Sequence, residues 1–542
     1  MTQDDPSRRL RWLGPGLGLA VLFAWLAPSV AVLDQRFLGV KYVDHYGTQW
    51  FYWYAGQILR GLQQAAHTDL FFYPWGKDVY GHTGSNLVDA WLAQPLLALW
   101  GQVEGYNVFL LLLMATNAWA AHRLAGRFTE DPLAKWVVAV VFAFQPYLLN
   151  ELAEGRPTQL MMVFLVLFFE RFLAAVEGGW GRAVTAGVLL ALTGYTYWYY
   201  AIFAGMAAAV MGVWFAAARG RAGVGVLLRC GIAAVVALAM VLPVAMPMLR
   251  TTSAGALPGL LDVSAWSEFV APLTREGQLI GIHTWQPFIG TTGFWMTSLS
   301  GSEQFIPRLD PLPLAIALPL LVILLRPGPL PRGPILAACL TLTALAFGPL
   351  IVFGNLAVDN PFFRWALEVF PPMQRLWWPG RAFAVVGVFA PLGAIPLLDA
   401  VASVRGRAAV AVGLVGLLGL SLVRNDLLPA SSWDATVPAG YKCLATGPKG
   451  AVIDLPYAFT QGHLYYQTAH GRPILGGMLE DNPVFTPPEL VTLRTDNKFV
   501  QVLTEGPPTT GFDPASVPAS DRDAVHALGY EYVALQLDAF RA

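Results

Sequence analysis

A short polar segment, Val43-Asp44-His45-Tyr46, follows directly after the first long hydrophobic stretch of this chain. A carboxylate within hydrogen-bond reach of a hydroxyl can act as a general base, and an imidazole can ligate a divalent cation or contact a substrate. We therefore take Asp44 as a candidate catalytic base and His45 as a tentative acceptor or metal contact. The competing interpretations are that Asp44 caps a helix that begins nearby and that His45 is a solvated loop residue.

Three arginines have the chemistry to hold a phosphate, because the planar guanidinium group can bond two phosphate oxygens at once. Arg156 lies in the tight turn Glu154-Gly155-Arg156-Pro157, and Arg375 and Arg381 flank Trp377-Trp378-Pro379. Arg381 also precedes a predicted helix, whose amino terminus favours anions. The alternative is that these arginines anchor helix ends at a membrane boundary.

Two further carboxylates, Glu151 and Glu154, lie one helical turn apart beside Arg156. With Asp44 they could bind a divalent cation, Mg²⁺ or Mn²⁺, since oxygen ligands suit both ions. The alternative, which we favour, is that their charges balance Arg156. The nearby aromatic run Tyr195–Tyr200 could stack on a sugar, but it is more typical of an aromatic belt.

The elements that position these residues follow from composition. Of 542 residues, 56% are hydrophobic and 13% are charged, against about 25% charged in soluble domains. The chain is therefore a polytopic membrane protein. Its net charge of −1, without a basic tract, gives no indication of nucleic acid as a partner. Neither a P-loop pattern nor an H-E-x-x-H pattern occurs, which argues against an ATP-driven pump and a zinc protease.

Hydrophobic stretches of membrane-spanning length predict a mainly α bundle of about eleven transmembrane helices. They lie near residues 11–33, 106–124, 134–150, 158–175, 183–198, 200–218, 226–249, 312–325, 334–353, 381–400 and 408–424. Arginine and lysine residues collect in short loops on one side, which places the amino terminus in the cytoplasm. An odd number of helices then puts the carboxyl terminus outside, together with the long loops 34–105, 250–311 and 354–380.

The first external loop, 34–105, contains two apolar stretches that are not predicted to span. Residues 47–64 carry aromatic side chains at helical spacing, which predicts a helix lying in the membrane interface. Residues 87–100 are too short to span comfortably and predict a second interfacial helix. The first of these helices would hold Asp44 at the membrane surface.

The composition changes near residue 425, where long apolar runs end and Pro, Asp, Thr and Gly become frequent. We predict a transmembrane domain over residues 1–424 and a small external, periplasmic α/β domain over residues 425–542. Residues 451–455 and 530–535 read as short buried strands, and 520–528 as a helix with Ser520 as its N-cap.

This organisation resembles the GT-C glycosyltransferases, which are polytopic enzymes that take sugar from a polyprenyl-phosphate carrier. The closer similarity is to an uncharacterised bacterial branch of that superfamily, and it covers nearly the whole length. The matching segments are Phe72-Tyr73-Pro74-Trp75-Gly76, Gly105-Tyr106-Asn107, Phe144-Gln145-Pro146, Glu154-Gly155-Arg156-Pro157-Thr158-Gln159 and Arg375 to Arg381. The chain departs from that branch at Gly155-Arg156, where Gly-His is frequent, and in having Asp44 with His45 where better-studied relatives have two acidic residues.

The resemblance implies an inverting glycosyltransferase of the bacterial cytoplasmic membrane. Its donor would be a polyprenyl-phosphate sugar, its other partners membrane lipids, and its external acceptor an unidentified lipid, glycan or protein. Asp44 would be the base, and Arg156, Arg375 and Arg381 would bind the donor phosphate. Two functions of other classes remain open: a transporter or flippase for a lipid-linked glycan, and a non-catalytic scaffold in envelope assembly.

Overall fold

The computed structural model describes residues 6–79, 88–254, 274–275, 278–279, 319–348, 350–353, 356–370, 373, 379–457, 462–478, 486–505 and 514–536. Helices dominate. Those that the structure describes and that are named below are α1 (Pro6–Leu26), α2 (Val43–Leu59), α3 (Val88–Ala125), α4 (Pro132–Ala143), α5 (Pro146–Ala153), α6 (Pro157–Leu160), α7 (Val163–Glu177), α8 (Trp180–Thr196), α9 (Trp198–Ala218), α10 (Gly223–Ala254), α11 (Arg332–Ala346), α12 (Pro361–Val369), α13 (Phe383–Phe389), α14 (Ala394–Asp399), α15 (Val404–Arg424), α16 (Ala439–Thr446), α17 (Gly462–His470), α18 (Pro488–Asp496), α19 (Lys498–Glu505) and α20 (Ala519–Ala527).

The strands are short and form four small sheets within the described residues. They are β1 (Arg36–Leu38), β2 (His67–Thr68), β3 (Lys77–Asp78), β4 (Thr274–Arg275), β5 (Gln278–Leu279), β6 (Leu350–Phe353), β7 (Leu356–Asp359), β8 (Ser432–Asp434), β9 (Ala451–Leu455) and β10 (Tyr530–Leu535). The order β4-β5-β7-β6 makes the largest sheet, and the others are pairs.

The predicted polytopic membrane bundle is confirmed. In the described part of the chain, seven helical segments are long and apolar enough to cross a membrane. They are Val88–Ala125, Pro132–Ala153, Pro157–Glu177, Trp198–Ala218, Gly220–Met246, Pro379–Asp399 and Val404–Arg424, and Trp12–Leu26 and Arg332–Ala346 are shorter apolar helices. The most buried of the seven, which form the centre of the bundle, are Pro379–Asp399, Pro132–Ala153 and Pro157–Glu177.

Two predicted elements have different boundaries in the structure. The span predicted over 334–353 is helical only to Ala346, and residues 350–353 pair with β7 as strand β6. Helix α3 combines the predicted interfacial helix 87–100 with the span that follows it. At 38 residues it would be about 57 Å long if straight, nearly twice the hydrocarbon thickness. The kink at Gly101, where φ is +77°, divides it at the predicted boundary.

Helix α2 confirms the predicted helix of the first loop, but its aromatic side chains do not serve as membrane anchors. Trp50, Tyr52 and Tyr54 are fully buried in protein. The indole Nε1 of Trp50 donates a hydrogen bond to Oε1 of Gln467 in α17, at 2.7 Å. The helical periodicity correctly indicated that one face of α2 is buried. The residues that cover this face belong to α3 and to α17, which is far away in sequence.

The carboxyl-terminal part contains the two predicted strands, β9 and β10, which pair in parallel with Ile453 opposite Val533. The predicted helix is α20, although its N-cap is Pro518 and Ser520 lies in its first turn. Strand β8 pairs antiparallel with β1, so residues after 425 join the first loop directly. The division of the chain at residue 425 stays a prediction.

Candidate active site

The site begins at the amino terminus of α2. The N-cap of this helix is Tyr42, and Asp44 lies in its first turn. Asp44 is therefore not the N-cap that the alternative interpretation required, although a carboxylate in the first turn interacts favourably with the helix dipole. Its side chain is 46% exposed, so the carboxylate is accessible to a substrate.

A tight turn brings Arg156 to Asp44. Helix α5 ends at Ala153, and Pro157 begins α6, since proline suits the first turn of a helix. Between them Gly155 adopts φ +73°, a left-handed conformation that favours glycine. The hydroxyl of Thr48 donates a hydrogen bond to the carbonyl of Gly155 at 2.7 Å, which fastens the turn to α2.

Arg156 lies at the centre of three carboxylates. Its Nε is 2.6 Å from Oδ2 of Asp44, and its Nη1 is 3.2 Å from Oε2 of Glu151 and also contacts Glu154. The guanidinium further lies over the ring of Tyr42, 5.3 Å from its centroid. The expected balance of Glu151 and Glu154 against Arg156 is thus present in the structure.

Burial strengthens the electrostatic interactions within this cluster. The Arg156 side chain is 13% exposed and that of Glu151 only 3%. Burial alone would lower the pKa of Arg156, but the fields of Glu151, Asp44 and Glu154 raise it well above its usual range. Burial raises the pKa of Glu154, against the opposing effect of Arg156. Arg156 therefore stays charged, and the three carboxylates that contact it largely neutralise its charge.

A second guanidinium faces the same site. Arg381 lies in a short 3₁₀ helix, Pro379–Ala382, at the start of a central span. It lies over the rings of Tyr197 and Tyr199, 5.0 and 5.4 Å from their centroids. These two rings are stacked, with 7° between their planes and 5.0 Å between their centroids. The faces of aromatic rings attract cations, so these two tyrosines stabilise the guanidinium group of Arg381.

Arg381 belongs to the same electrostatic site as the carboxylate cluster, because the charges of Glu151, Arg156 and Asp44 all act on it. The site thus combines residues from α2, from the α5–α6 turn and from the start of the span Pro379–Asp399. Arg375 lies outside the described residues.

Two tyrosines of the aromatic run, Tyr197 and Tyr200, do not belong to an aromatic belt. Tyr197 and Tyr200 are buried within the protein, which makes the belt prediction wrong for both. The hydroxyls of Tyr200 and Tyr147 are 2.7 Å apart, and Tyr200 donates to the carbonyl of Gln159 at 3.0 Å. The density of tyrosines was the available sequence signal, but it did not distinguish lipid contact from contact with Arg381.

His45 lies behind the site, not in it. Its ring is fully buried against the rings of Phe37, Tyr106 and Trp433. The expectation of a solvated loop residue is therefore wrong. A role of His45 in contacting an acceptor or a metal stays a prediction.

Among the described residues, no group of three or more His, Cys, Asp or Glu side chains is arranged to hold a metal ion. Asp44, Glu151 and Glu154 converge, but the guanidinium of Arg156 takes the central position. This arrangement does not fit a divalent cation unless Arg156 gives up at least one carboxylate. Use of Mg²⁺ or Mn²⁺ stays a prediction, and no step below passes through a metal.

No protein-family model matches the chain, and no curated protein matches it by sequence. Solved structures do match its fold. The arabinofuranosyltransferase AftD from Mycobacteria has a TM-score of 0.54 and 17% identity, over 97% of this chain and 36% of that chain. The oligosaccharyltransferase of Archaeoglobus fulgidus has a TM-score of 0.53 and 13% identity, over 98% of this chain and 69% of that chain.

These likenesses show that the chain shares the fold of these two enzymes, an architecture that agrees with the resemblance to GT-C glycosyltransferases seen in its sequence. The chain spans 36% of the length of AftD, so the activity of that larger protein is not transferred to it. At these identities the comparison concerns architecture, and function must be argued from the site.

Proposed function

We propose that this protein is an inverting glycosyltransferase that takes a sugar from a polyprenyl-phosphate carrier and transfers it to a lipid, glycan or protein acceptor. We place it in the bacterial cytoplasmic membrane, with its amino terminus in the cytoplasm and the Asp44 site on the external face. A polytopic bundle with the GT-C fold supports this proposal.

The observation that carries the proposal is the pairing of an accessible carboxylate with two guanidinium groups at one end of a central span. Asp44 is held by Arg156 at 2.6 Å but remains 46% exposed. Arg381, at the start of the span Pro379–Asp399, lies within electrostatic range of the same cluster. A base and a phosphate-binding cation are the two groups that this reaction requires.

In the proposed reaction, the carboxylate of Asp44 accepts the proton of the acceptor hydroxyl. The acceptor oxygen then forms a bond to the anomeric carbon of the donor sugar, while the bond from that carbon to the phosphate oxygen breaks. The electron pair of the broken bond leaves with the polyprenyl phosphate. Attack opposite to the leaving group inverts the configuration at the anomeric carbon. Arg156 orients Asp44 through the Nε contact to Oδ2.

Arg381 is our candidate for stabilising the leaving phosphate. Negative charge develops on that group as the bond breaks, and a positioned guanidinium lowers the energy of the transition state. Arg381 lies on the faces of Tyr197 and Tyr199 at the start of the central span, where the charges of Glu151 and Asp44 act on it. Arg156 contributes to the field at the site, and a role of Arg375 in donor binding remains part of the proposal.

The test is native mass spectrometry of the full chain, extracted gently in detergent. We expect a polyprenyl phosphate or its glycosylated form to copurify, and to be lost in Arg381→Ala. The matched control is Arg364→Ala, because Arg364 is 47% exposed and its contacts to Asp359 and Glu368 are 3.9 Å long. The thermal stability of both variants is measured to exclude unfolding.

A copurifying mass equal to a glycosylated polyprenyl phosphate supports the transferase and identifies the class of sugar. If only bulk phospholipid copurifies, unchanged between the protein and Arg381→Ala, the donor assignment fails. If the carrier is bound but Asp44→Asn transfers sugar at the original rate, the lipid site stands and the assignment of the base fails.

A further inference from the structure

The interface between α2 and α3 contains a buried polar seam, which we define as His45, Gln49, Tyr52, Asp89 and Tyr106. The first three are spaced four and then three residues apart, so they share one face of α2. None of the five is more than 1% exposed. The seam lies directly behind Asp44, which precedes His45 in the chain.

Contacts link four of the five seam residues, and Gln49 joins α3 by accepting from Gln102. The hydroxyl of Tyr52 donates to Oδ2 of Asp89 at 2.8 Å. The ring of Tyr106 lies 5.5 Å from those of Tyr52 and His45, centroid to centroid. Since Asp89 and Tyr106 lie on opposite sides of the kink at Gly101, the seam connects both halves of α3 to α2.

Four atoms of the seam are fully buried and have no hydrogen-bond partner among the described residues. They are Nε2 of His45, Nε2 of Gln49, Oδ1 of Asp89 and the hydroxyl of Tyr106. The backbone N–H groups of Asp89 and Ala90 also approach this carboxylate, without a hydrogen bond from the described residues to Oδ1. Buried polar groups are nearly always bonded to protein or to ordered water, so four orphans in one interface require a partner.

The contact between His45 and Trp433 determines where the histidine carries its proton. The indole Nε1 of Trp433 can only donate, and it lies 3.0 Å from Nδ1 of His45. Nδ1 therefore accepts, although the carbonyl of Val40 lies 3.2 Å away from the same atom. In the neutral ring the proton is then on Nε2, for which the described part of the chain supplies no acceptor.

The four orphan atoms match the chemistry of water. Nε2–H of His45 and the amide of Gln49 can only donate, because Oε1 of Gln49 already accepts from Gln102. Oδ1 of Asp89 accepts, and the hydroxyl of Tyr106 does either. A water molecule takes two donors and two acceptors, whereas a metal cation would be repelled by the two N–H groups.

We propose that the seam is a built hydration site, in which buried water accepts the proton of His45 Nε2 and continues the network to Tyr106 and Asp89. Through this network Asp89 is a positioning residue, which holds the first turn of α2 and with it Asp44. The hydration site stands on its own contacts, and only its link to catalysis rests on the proposed function of Asp44.

The first test compares two hydroxyl deletions in the full chain, Tyr106→Phe and Tyr54→Phe. The Tyr54 hydroxyl has direct backbone acceptors, at 2.6 Å in Gln64 and 3.1 Å in His67, so its loss must lower the Tm. If water bonds Tyr106, its variant loses about as much Tm as the control. An unchanged or raised Tm in Tyr106→Phe means that the hydroxyl was unsatisfied and overturns the hydration site.

The second test measures backbone amide exchange in Asp89→Asn, with Asp34→Asn as the control because Asp34 is exposed in the same segment. We expect exchange at residues 44–48 to accelerate roughly tenfold, the size of one lost hydrogen bond, while β9 is unchanged. Unaltered exchange at 44–48, or equal acceleration in β9, overturns the positioning role of Asp89.

If a variant does not fold, a high-resolution density map of the unsubstituted protein decides instead. Density within hydrogen-bond distance of His45 Nε2 is expected, and an empty seam in a map that resolves other buried waters contradicts the proposal. None of these measurements uses sugar transfer. Their failure is therefore distinguishable from a failure of the proposed glycosyltransferase activity.

Discussion

Trp433 and His45 are 388 residues apart in the chain, yet the indole of Trp433 donates a hydrogen bond to the imidazole of His45 at 3.0 Å. Their rings also pack edge to face, with centroids 5.1 Å apart and 88° between planes. Because His45 follows Asp44, strand β8 helps to set where the candidate base lies. The carboxyl-terminal part is in this sense a component of the site.

Replacing the candidate base should abolish transfer without unfolding the protein. Asp44→Asn keeps the size of the side chain but removes the carboxylate that accepts a proton, so we expect turnover to fall by about 10²–10⁴-fold. The measurement is sugar transfer from the copurified carrier, with donor binding followed by native mass spectrometry. Asp34→Asn replaces an exposed aspartate that precedes α2, and it should leave both sugar transfer and donor binding unchanged.

Removing Arg156 should destabilise the protein because Glu151, which is 3% exposed, would keep a buried charge without its partner. We expect Arg156→Met to lower the free energy of unfolding by about 3–5 kcal/mol, as measured by denaturation in detergent. The double variant Arg156→Met with Glu151→Gln should recover part of this loss. No recovery would mean that the pair is not coupled as the geometry indicates.

The turn that carries Arg156 should not tolerate a side chain at Gly155. A Cβ there would lie 2.3 Å from Cγ of His45, and φ is +73°. Gly61→Ala is the matched control, since its φ is +70° but no atom lies within 4 Å of an added Cβ.

We expect Gly61→Ala to cost about 1–2 kcal/mol of unfolding free energy from backbone strain alone. Gly155→Ala should cost roughly 1–3 kcal/mol more, from overpacking against His45, and should also lose transfer because Arg156 moves away from Asp44. Equal losses of stability in the two variants would show that the contact with His45 is unimportant.

The buried imidazole predicts a dependence of stability on pH. Burial lowers the pKa of His45 to about 3, against an ordinary value near 6.5. Below about pH 6.5 the unfolded chain therefore binds a proton at His45 that the folded protein does not bind. The free energy of unfolding falls as the pH decreases. The free energy of unfolding should fall by up to about 1.4 kcal/mol per pH unit between about pH 6.5 and about pH 3.

His45→Gln cannot take up this proton but can still accept from Trp433. The difference in unfolding free energy between the protein and His45→Gln should therefore shrink as the pH falls from about 7 to about 4. His526→Gln, at a side chain that is 70% exposed, controls for removing a histidine as such. A difference that stays constant with pH would contradict the burial of a neutral His45.

Much of the architecture was determined by the sequence alone. Apolar stretches of spanning length predicted the membrane bundle, and Gly155 and Pro157 marked the tight turn that carries Arg156. The break before Pro146, inside the span predicted over 134–150, was not anticipated. Those features act locally, through hydrophobicity, helix periodicity and restricted backbone angles. For the same reason, Asp44 and Arg156 could be identified as chemically capable residues before their contact was known.

The tertiary structure alone decided which of these groups meet. Asp44 and Arg156 are 112 residues apart, and nothing local to either one places Arg156 among three carboxylates. Likewise, Tyr197 reads as a membrane anchor until helix packing sets it under Arg381. Sequence patterns report what a side chain can do and which face it occupies. The partner it finds depends on how distant helices pack, and that packing assigned the roles in this site.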